Sequence, residues 1–367
     1  MSFGARALIR LDAIRDNFQT IKERSHGARM MAVIKANAYG HGLLPVARCL
    51  TGADCFAVAR LGEAADLREA GIDTPIALPG GVFSETDLGK ALDLELQLGV
   101  HTESQLAWLE QFGQANATIW LKIDTGMNRL GFRPHAAASL IDRLQNCSAV
   151  GDLRVMTHFA NADDVEDDTT ASQIGQFRKI VDAFDGDISI ANSAGILAWE
   201  KDLEVFAGHR SNGRFWVRPG LALYGISPFA DRCGADLGLR PAMRFESQLI
   251  AIKALGKGET VGYGGAWRSG RDTLLGIVAA GYGDGYSRFI PAGSPVMVNG
   301  RRVKIAGLVS MDLTAVDLGP AATDQVGDPV LLWGDELPVE EVAKHAGTIP
   351  YQLVCGITNR EESVYED

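Results

Sequence analysis

Short apolar runs and longer amphipathic ones alternate along the first two-thirds of the chain. Apolar runs occur at Met30–Ile34, Phe56–Ala59, Pro75–Leu78, Leu94–Val100, Thr118–Ile123, Leu153–Met156, Ile188–Ala191 and Phe215–Val217. Between them, Leu61–Ala70, Glu103–Phe112, Ala136–Leu144 and Ser172–Phe184 repeat apolar residues at helical spacing and carry charge on the other face. A strand buried on both faces reads as a continuous apolar run, so strands alternating with helices predict a parallel sheet covered by helices. Eight such units in about 225 residues match the size of a (β/α)₈ barrel, with an open, doubly wound sheet as the competing arrangement.

The pattern changes after Tyr224-Gly225-Ile226-Ser227-Pro228. Phe229–Gly238 carries charge without periodicity and reads as a linker. Strand-like runs follow at Phe245–Ala254, Leu274–Val278, Pro295–Val298, Val303–Ile305, Leu313–Leu318 and Val330–Trp333, with a helix expected over Val339–Ala346. Val298-Asn299-Gly300-Arg301 predicts a two-residue hairpin, because Asn-Gly accepts positive φ at both turn positions. The expected organisation is an N-terminal barrel over residues 1–230 and a mainly antiparallel β domain over 231–367. Residues 1–11 are expected to pair with the second domain.

Composition narrows the class. A chain of 367 residues exceeds what one core usually supports, and 46% apolar with 22% charged residues is ordinary for a globular protein. A net charge of -11 fits poorly with nucleic acid as a partner. Five scattered cysteines without a CxxC pair argue against a disulfide framework or metal site and favour a reducing, cytoplasmic setting. The opening Met1–Arg6 lacks a signal-peptide core, and no uncharged apolar run approaches a membrane span.

In a barrel the catalytic groups lie at the C-terminal ends of the strands. Polar residues recur where the apolar runs end: Lys35, Lys122 with Asp124-Thr125-Gly126-Met127-Asn128-Arg129 after it, His158, Asn192-Ser193, and Arg218-Pro219-Gly220. Strands also end where polarity begins, so no one of these residues is decisive alone. A lysine at the end of a buried strand suits Schiff-base chemistry, since desolvation frees the amine.

The stretch A-V-I-K-A-N-A-Y-G-H-G around Lys35 resembles the pyridoxal-phosphate signature of the alanine racemases. K-I-D-T-G-M-N-R-L-G-F (Lys122–Phe132), T-H-F-A (Thr157–Ala160), A-N-S-A (Ala191–Ala194) and R-P-G-L-A-L-Y-G (Arg218–Gly225) resemble further motifs of that family. So do V-G-Y-G (Val261–Gly264), G-Y-G-D-G (Gly281–Gly285), S-M-D (Ser310–Asp312) and I-P-Y (Ile349–Tyr351), in the same order. The resemblance spans nearly the whole chain.

It implies a pyridoxal 5'-phosphate enzyme that interconverts L- and D-alanine by removing the α-proton on one face and returning one on the other. By similarity, Lys35 holds the cofactor and is one base, and Tyr263 is the other. A tyrosine is a poor base at its ordinary pKa of about 10 and needs nearby cations or donors. Arg218, by resemblance, donates to the cofactor's ring nitrogen. A guanidinium effectively cannot give up its proton there, which leaves the ring a weaker electron sink and disfavours transamination and decarboxylation. Tyr39, Ser193, Tyr351 and the backbone of Gly220 and Leu221 would hold the phosphate. His158 would lie beside the ring with Asn192 supporting it. Arg129 would reach the phenolic oxygen and the substrate carboxylate, with the Met311 N–H as a second carboxylate contact and Tyr282 lining the entrance. Lys122 is carbamylated in many members, which would turn a cation into an anion able to brace Arg129.

The resemblance also implies a head-to-tail homodimer in which Tyr263 and Met311 reach the partner's cofactor. It further implies a D-alanine supply for peptidoglycan or its consumption in catabolism. A broader racemase acting on serine, for example, is the alternative, and a non-catalytic cofactor-binding barrel would lack both the β domain and Tyr263. Two departures bear on substrate range: Trp267 and Gly283 stand where the family commonly has tyrosine and alanine.

Overall fold

The computed structural model describes residues 4–207, 214–358, 360 and 362–367. The chain divides into two compact units. One comprises residues up to Asp16, Tyr39–Gly42 and residues from Tyr224 on; the other comprises Asn17–Ala38 and Leu43–Leu223.

Strand β1 (Arg6–Arg10) belongs to the first of these units. The other unit is built on β2 (Arg29–Val33), β3 (Cys55–Ala57), β4 (Ile76–Leu78), β5 (Leu96–Val100), β6 (Ala117–Lys122), β7 (Val150–Met156), β8 (Ile188–Asn192) and β9 (Phe215–Arg218). Each pairs in parallel with the next, and β9 pairs with β2, so the ring is closed. This closure selects the barrel over the open sheet. All eight apolar runs of the sequence coincide with its strands to within a few residues. The connecting helices start at recognisable caps: Ser84 Oγ accepts from Asp87 N at 3.1 Å before Glu85–Asp93, and Thr102 Oγ1 accepts from Gln105 N at 3.3 Å before Glu103–Phe112.

The lower half of the barrel interior is filled. Met31, Cys55, Ala57, Ala77, Trp120, Met156 and Trp216 form one buried cluster. The Trp120 and Trp216 rings meet edge to face at 5.8 Å, and the Arg154 guanidinium lies 5.3 and 5.2 Å from their centroids. Trp120 Nε1 donates to Gln97 Oε1 at 2.9 Å and Trp216 Nε1 to Asp187 Oδ2 at 2.7 Å, so both buried indoles are satisfied.

The other unit contains β10 (Met243–Leu255), β11 (Thr260–Val261), β12 (Trp267–Arg268), β13 (Thr273–Val278), β14 (Pro295–Val298), β15 (Arg301–Ile305), β16 (Thr314–Gly319), β17 (Pro329–Trp333) and β18 (Glu362–Glu366). The main sheet runs β13-β16-β15-β14-β17-β10-β1-β18, and β10 also pairs with β13, so six strands return on themselves. Pairing is antiparallel except between β1 and β18. The Asn299-Gly300 hairpin forms as the sequence predicts: Val298 faces Arg301, with φ of 48° and 71° at the two loop residues. The expected helix spans Val339–His345. The short polar strand β18 has no apolar run to announce it and forms along β1.

Candidate active site

Side chains two apart on a strand face the same way. On β6 this puts Lys122 above Trp120, and on β9 it puts Arg218 above Trp216. Beyond the end of β7, His158 continues the row of Arg154 and Met156, as Lys35 continues that of Met31 and Val33 after β2. Along β2, β6 and β9 the row thus changes from apolar to cationic within about one residue pair.

Arg218 is 5% exposed and bonded on several sides. Its terminal nitrogens donate to Ser189 Oγ (2.5 Å), Thr157 O (2.6 Å), Ile190 O (3.2 Å) and His158 Nδ1 (3.1 Å). Ser189 Oγ itself donates to Trp216 O at 2.9 Å, which leaves its lone pairs toward the guanidinium. Burial pushes the Arg218 pKa down to about 10, so the group stays cationic at neutral pH. Because Arg218 can only donate, His158 Nδ1 is the acceptor, and the neutral ring carries its proton on Nε2. His158 is held neutral: burial, then Arg218, Lys122, Arg129 and Lys35, lower its pKa well below the ordinary value.

Lys122 is buried at the end of β6. Burial first, then the charges of Arg218, Arg129 and Lys35, lower its pKa to about 8, against a small opposing effect of Asp124. The loop after it is shaped by Asp124 Oδ1, which accepts from Gly126 N at 3.1 Å and Asn128 N at 2.9 Å. Arg129 is exposed on this loop. Four cations, Lys35, Lys122, Arg129 and Arg218, therefore act together on one neutral imidazole.

Ser193 opens the short helix Ser193–Ala198, with Asn192 as its cap: Asn192 Oδ1 accepts from Gly195 N at 2.9 Å. Ser193 Oγ accepts from Gly220 N at 2.9 Å and Ala222 N at 3.3 Å, which ties the segment containing Gly220 and Leu221 to the end of β8.

Lys35 departs from the sequence expectation of a buried strand-end amine. It is exposed and begins a turn in which Ala36, Asn37, Ala38 and Tyr39 all have φ between 52° and 54°. A left-handed turn of non-glycine residues costs on the order of 1 kcal/mol per residue, least for asparagine. It is held by specific bonds. Ala38 N donates to Ile34 O at 2.9 Å and Leu43 N to Asn37 Oδ1 at 2.8 Å. Ala36 N donates to Glu63 Oε1 at 2.6 Å, while Ala59 N and Arg60 N donate to Glu63 Oε2 at 3.0 and 3.1 Å.

The remaining candidates lie in the β-rich unit. Tyr39 is buried with its ring 5.0 Å from that of Tyr224 and 5.9 Å from that of Tyr351. Burial, reinforced by Tyr351, raises its pKa, so it is a phenol that donates. Gly40, at φ 81°, is required here: a Cβ would stand 2.0 Å from Val354 O. Tyr263 is 68% exposed in a turn between glycines of positive φ, and Met311 is 53% exposed. Tyr282 N donates to Ser310 O at 2.9 Å and Gly283 N to Met311 O at 2.7 Å, so Tyr282 and Met311 share one corner. An alanine at Gly283 would meet the Arg360 guanidinium, which is the physical side of that departure.

The family model for the alanine racemase N-terminal domain matches residues 9–228, and that for its C-terminal domain matches residues 242–365. The chain belongs to the alanine racemase family. It is 48% identical over 365 residues to the alanine racemase of Vibrio cholerae, covering 99% of this chain and 98% of that one. It is 49% identical over 359 residues to that of Aeromonas hydrophila, covering 97% and 98%. Among solved structures, the biosynthetic alanine racemase of Pseudomonas aeruginosa superposes with a TM-score of 0.93 at 40% identity over 100% of both chains. A structure of the alanine racemase of Bartonella henselae with covalently bound pyridoxal phosphate gives 0.89 at 27% identity, again over 100% of both. Alanine racemases are isomerases, and these matches favour alanine over the broader serine reading.

Sequence reasoning missed the residues that hold the cationic cluster: Ser189, Thr157, Thr125, Gln173 and Glu63. Gln173 Nε2 donates to Thr125 Oγ1 and His158 O at 3.2 and 3.0 Å, and the Thr125 and Thr157 hydroxyls are 2.7 Å apart. Only Glu63 had a local signal, as the third residue after the helix cap Arg60.

Proposed function

We propose that this chain racemises alanine with pyridoxal 5'-phosphate held on Lys35, and that Lys35 and Tyr263 are the two bases, working on opposite faces of the α-carbon. The observation that carries this reading is the set of four cations around the neutral His158 at the barrel mouth. Arg218 suits the cofactor's ring nitrogen, Arg129 its phenolic oxygen and Lys35 its aldehyde. The residues present fit it. When bound, the cofactor delocalises the charge left by the departing α-proton.

Arg218 faces that group as a donor that stays charged, so it lends no proton to the ring nitrogen. Its fixed hydrogen bonds hold the guanidinium in one orientation. His158 supplies an uncharged face beside the ring, with Asn192 steadying the neighbouring helix start. Ser193, the Gly220 and Leu221 backbone, Tyr39 and Tyr351 bind the phosphate, with Tyr39 as a protonated donor. Arg129 and the Met311 N–H take the substrate carboxylate, and Tyr282 lines its approach. We assign a carbamate to Lys122: an amine with a pKa near 8 is partly neutral and nucleophilic toward carbon dioxide, and the product anion relieves the crowding of cations. Bicarbonate labelled with ¹³C should give a carbamate signal that Lys122→Met lacks.

The working form is a head-to-tail homodimer in which the β unit of one copy brings Tyr263 and Met311 to the barrel of the other. Their exposure supports this. A mixing experiment tests it. Lys35→Ala and Tyr263→Phe should each be slowed about 10²–10⁴-fold, yet a dimer of one with the other would contain one site with both bases. Random re-association should restore about a quarter of wild-type activity, whereas bases paired within one chain would restore none. The described cysteines are free, which suits the cytoplasm, where the D-alanine made would serve as a peptidoglycan precursor.

A further inference from the structure

We infer that Glu63 is a positioning residue for Lys35, clamping the backbone on which the reactive amine is carried. The inference rests on Lys35 being the cofactor lysine. Lys35 follows the last core residue of its row and precedes four residues in the left-handed region. A turn of this kind is not self-sustaining, and its first peptide N–H, that of Ala36, donates to Glu63 Oε1 at 2.6 Å. The other carboxylate oxygen accepts from Ala59 N and Arg60 N, where the helix Leu61–Glu69 begins. One carboxylate thus joins the residue after Lys35 to the segment leaving β3, and β3 is the barrel neighbour of β2.

The chemistry of the side chain matters. Three N–H groups converge on two oxygens, and only a carboxylate offers acceptors on both. A carboxamide would turn its own N–H₂ toward one set of donors. Alanine would release both. If Glu63 served only to cap the helix, its loss would cost stability and leave turnover unchanged. If it positions Lys35, the turn and the amine it carries shift together, and a displacement of about 1 Å at a reacting group can slow turnover up to a hundredfold.

The test compares wild-type holoenzyme with Glu63→Gln, Glu63→Ala and Ser84→Ala, the last removing the N-cap hydroxyl of the helix Glu85–Asp93. Turnover, amide exchange at Ala36, thermal midpoint and the lysine fixed by borohydride are read for each. Glu63→Ala should lower kcat by about tenfold to a hundredfold with KM little changed, and should speed exchange at Ala36 by about tenfold. Glu63→Gln should fall between it and wild type. Ser84→Ala should lower only the thermal midpoint. A Glu63→Ala enzyme that loses stability as Ser84→Ala does, with kcat at the wild-type level, overturns the inference. Should that variant not fold, Glu63→Gln with unchanged turnover and exchange overturns it equally. Borohydride fixation of wild type on a lysine other than Lys35 would instead overturn the reading of Lys35 itself, and that outcome is separately visible.

Discussion

The barrel mouth and the exposed turns of the β unit carry their polar groups in opposite ways. At the mouth, Arg218 and Lys122 are buried, and Arg218 is bonded to two carbonyls, a hydroxyl and an imidazole. On the β unit, Tyr263 stands largely in solvent between glycines. The first arrangement fixes charge before any ligand arrives, which is where electrostatic preorganisation is most effective. The second suits a group that completes a site in another copy. Parallel strand ends build the former; a glycine-rich turn permits the latter.

The sharpest way to break this division is to remove the two proposed bases. Lys35→Ala and Tyr263→Phe should each slow racemisation by about 10²–10⁴-fold, measured from both enantiomers by polarimetry. A Tyr263→Phe enzyme with unchanged rates would leave the exposed turn without a catalytic part. Next comes the floor. Trp216→Ala removes a buried ring from the barrel and its contact with Arg154, and should cost about 3–5 kcal/mol in denaturant unfolding; a smaller loss would mean the floor contributes little to holding the barrel together.

Lys122 gives the third test, through pH. Its folded pKa, lowered to about 8 from 10.5, lies below its unfolded value, so the unfolded chain binds the extra proton between those two values. In buffer free of carbon dioxide, stability should therefore rise by about 3 kcal/mol from pH 8 to pH 10.5, with a constant penalty below that window. Lys122→Met should abolish the rise, and bicarbonate should blunt it. The smallest effect belongs to the β unit. Gly300→Ala, at a φ of 71°, should cost about 1 kcal/mol in unfolding and leave kcat unchanged, in contrast to every substitution at the mouth.

The sequence was most legible where a single physical rule acts alone. Strands buried on both faces are mostly apolar, so the apolar runs of β2–β9 and their order along the chain could be read directly, and Asn299-Gly300 could be read as a turn for an equally local reason. The left-handed turn at Ala36–Tyr39 could not, because it contains no glycine and is held by Glu63, 27 residues beyond Ala36. Ser189 was hidden within the run Ile188–Ala191, where a small hydroxyl does not interrupt the apolar pattern. The ends of the strands marked where chemistry would lie. Which residue does what came from the family motifs, because spacing alone does not distinguish a phosphate-binding tyrosine such as Tyr39 from a packed one.

The Trp120–Arg154–Trp216 floor has a consequence for traffic. Packed rings and a guanidinium fill the barrel beneath the mouth, so the site groups stand only at the C-terminal ends of the strands. L-alanine and D-alanine would then use the same doorway in both directions, and each released product competes with incoming substrate at that threshold. The reaction has no built-in direction, so the net flow of handedness is set by whatever withdraws one enantiomer from the surrounding solution.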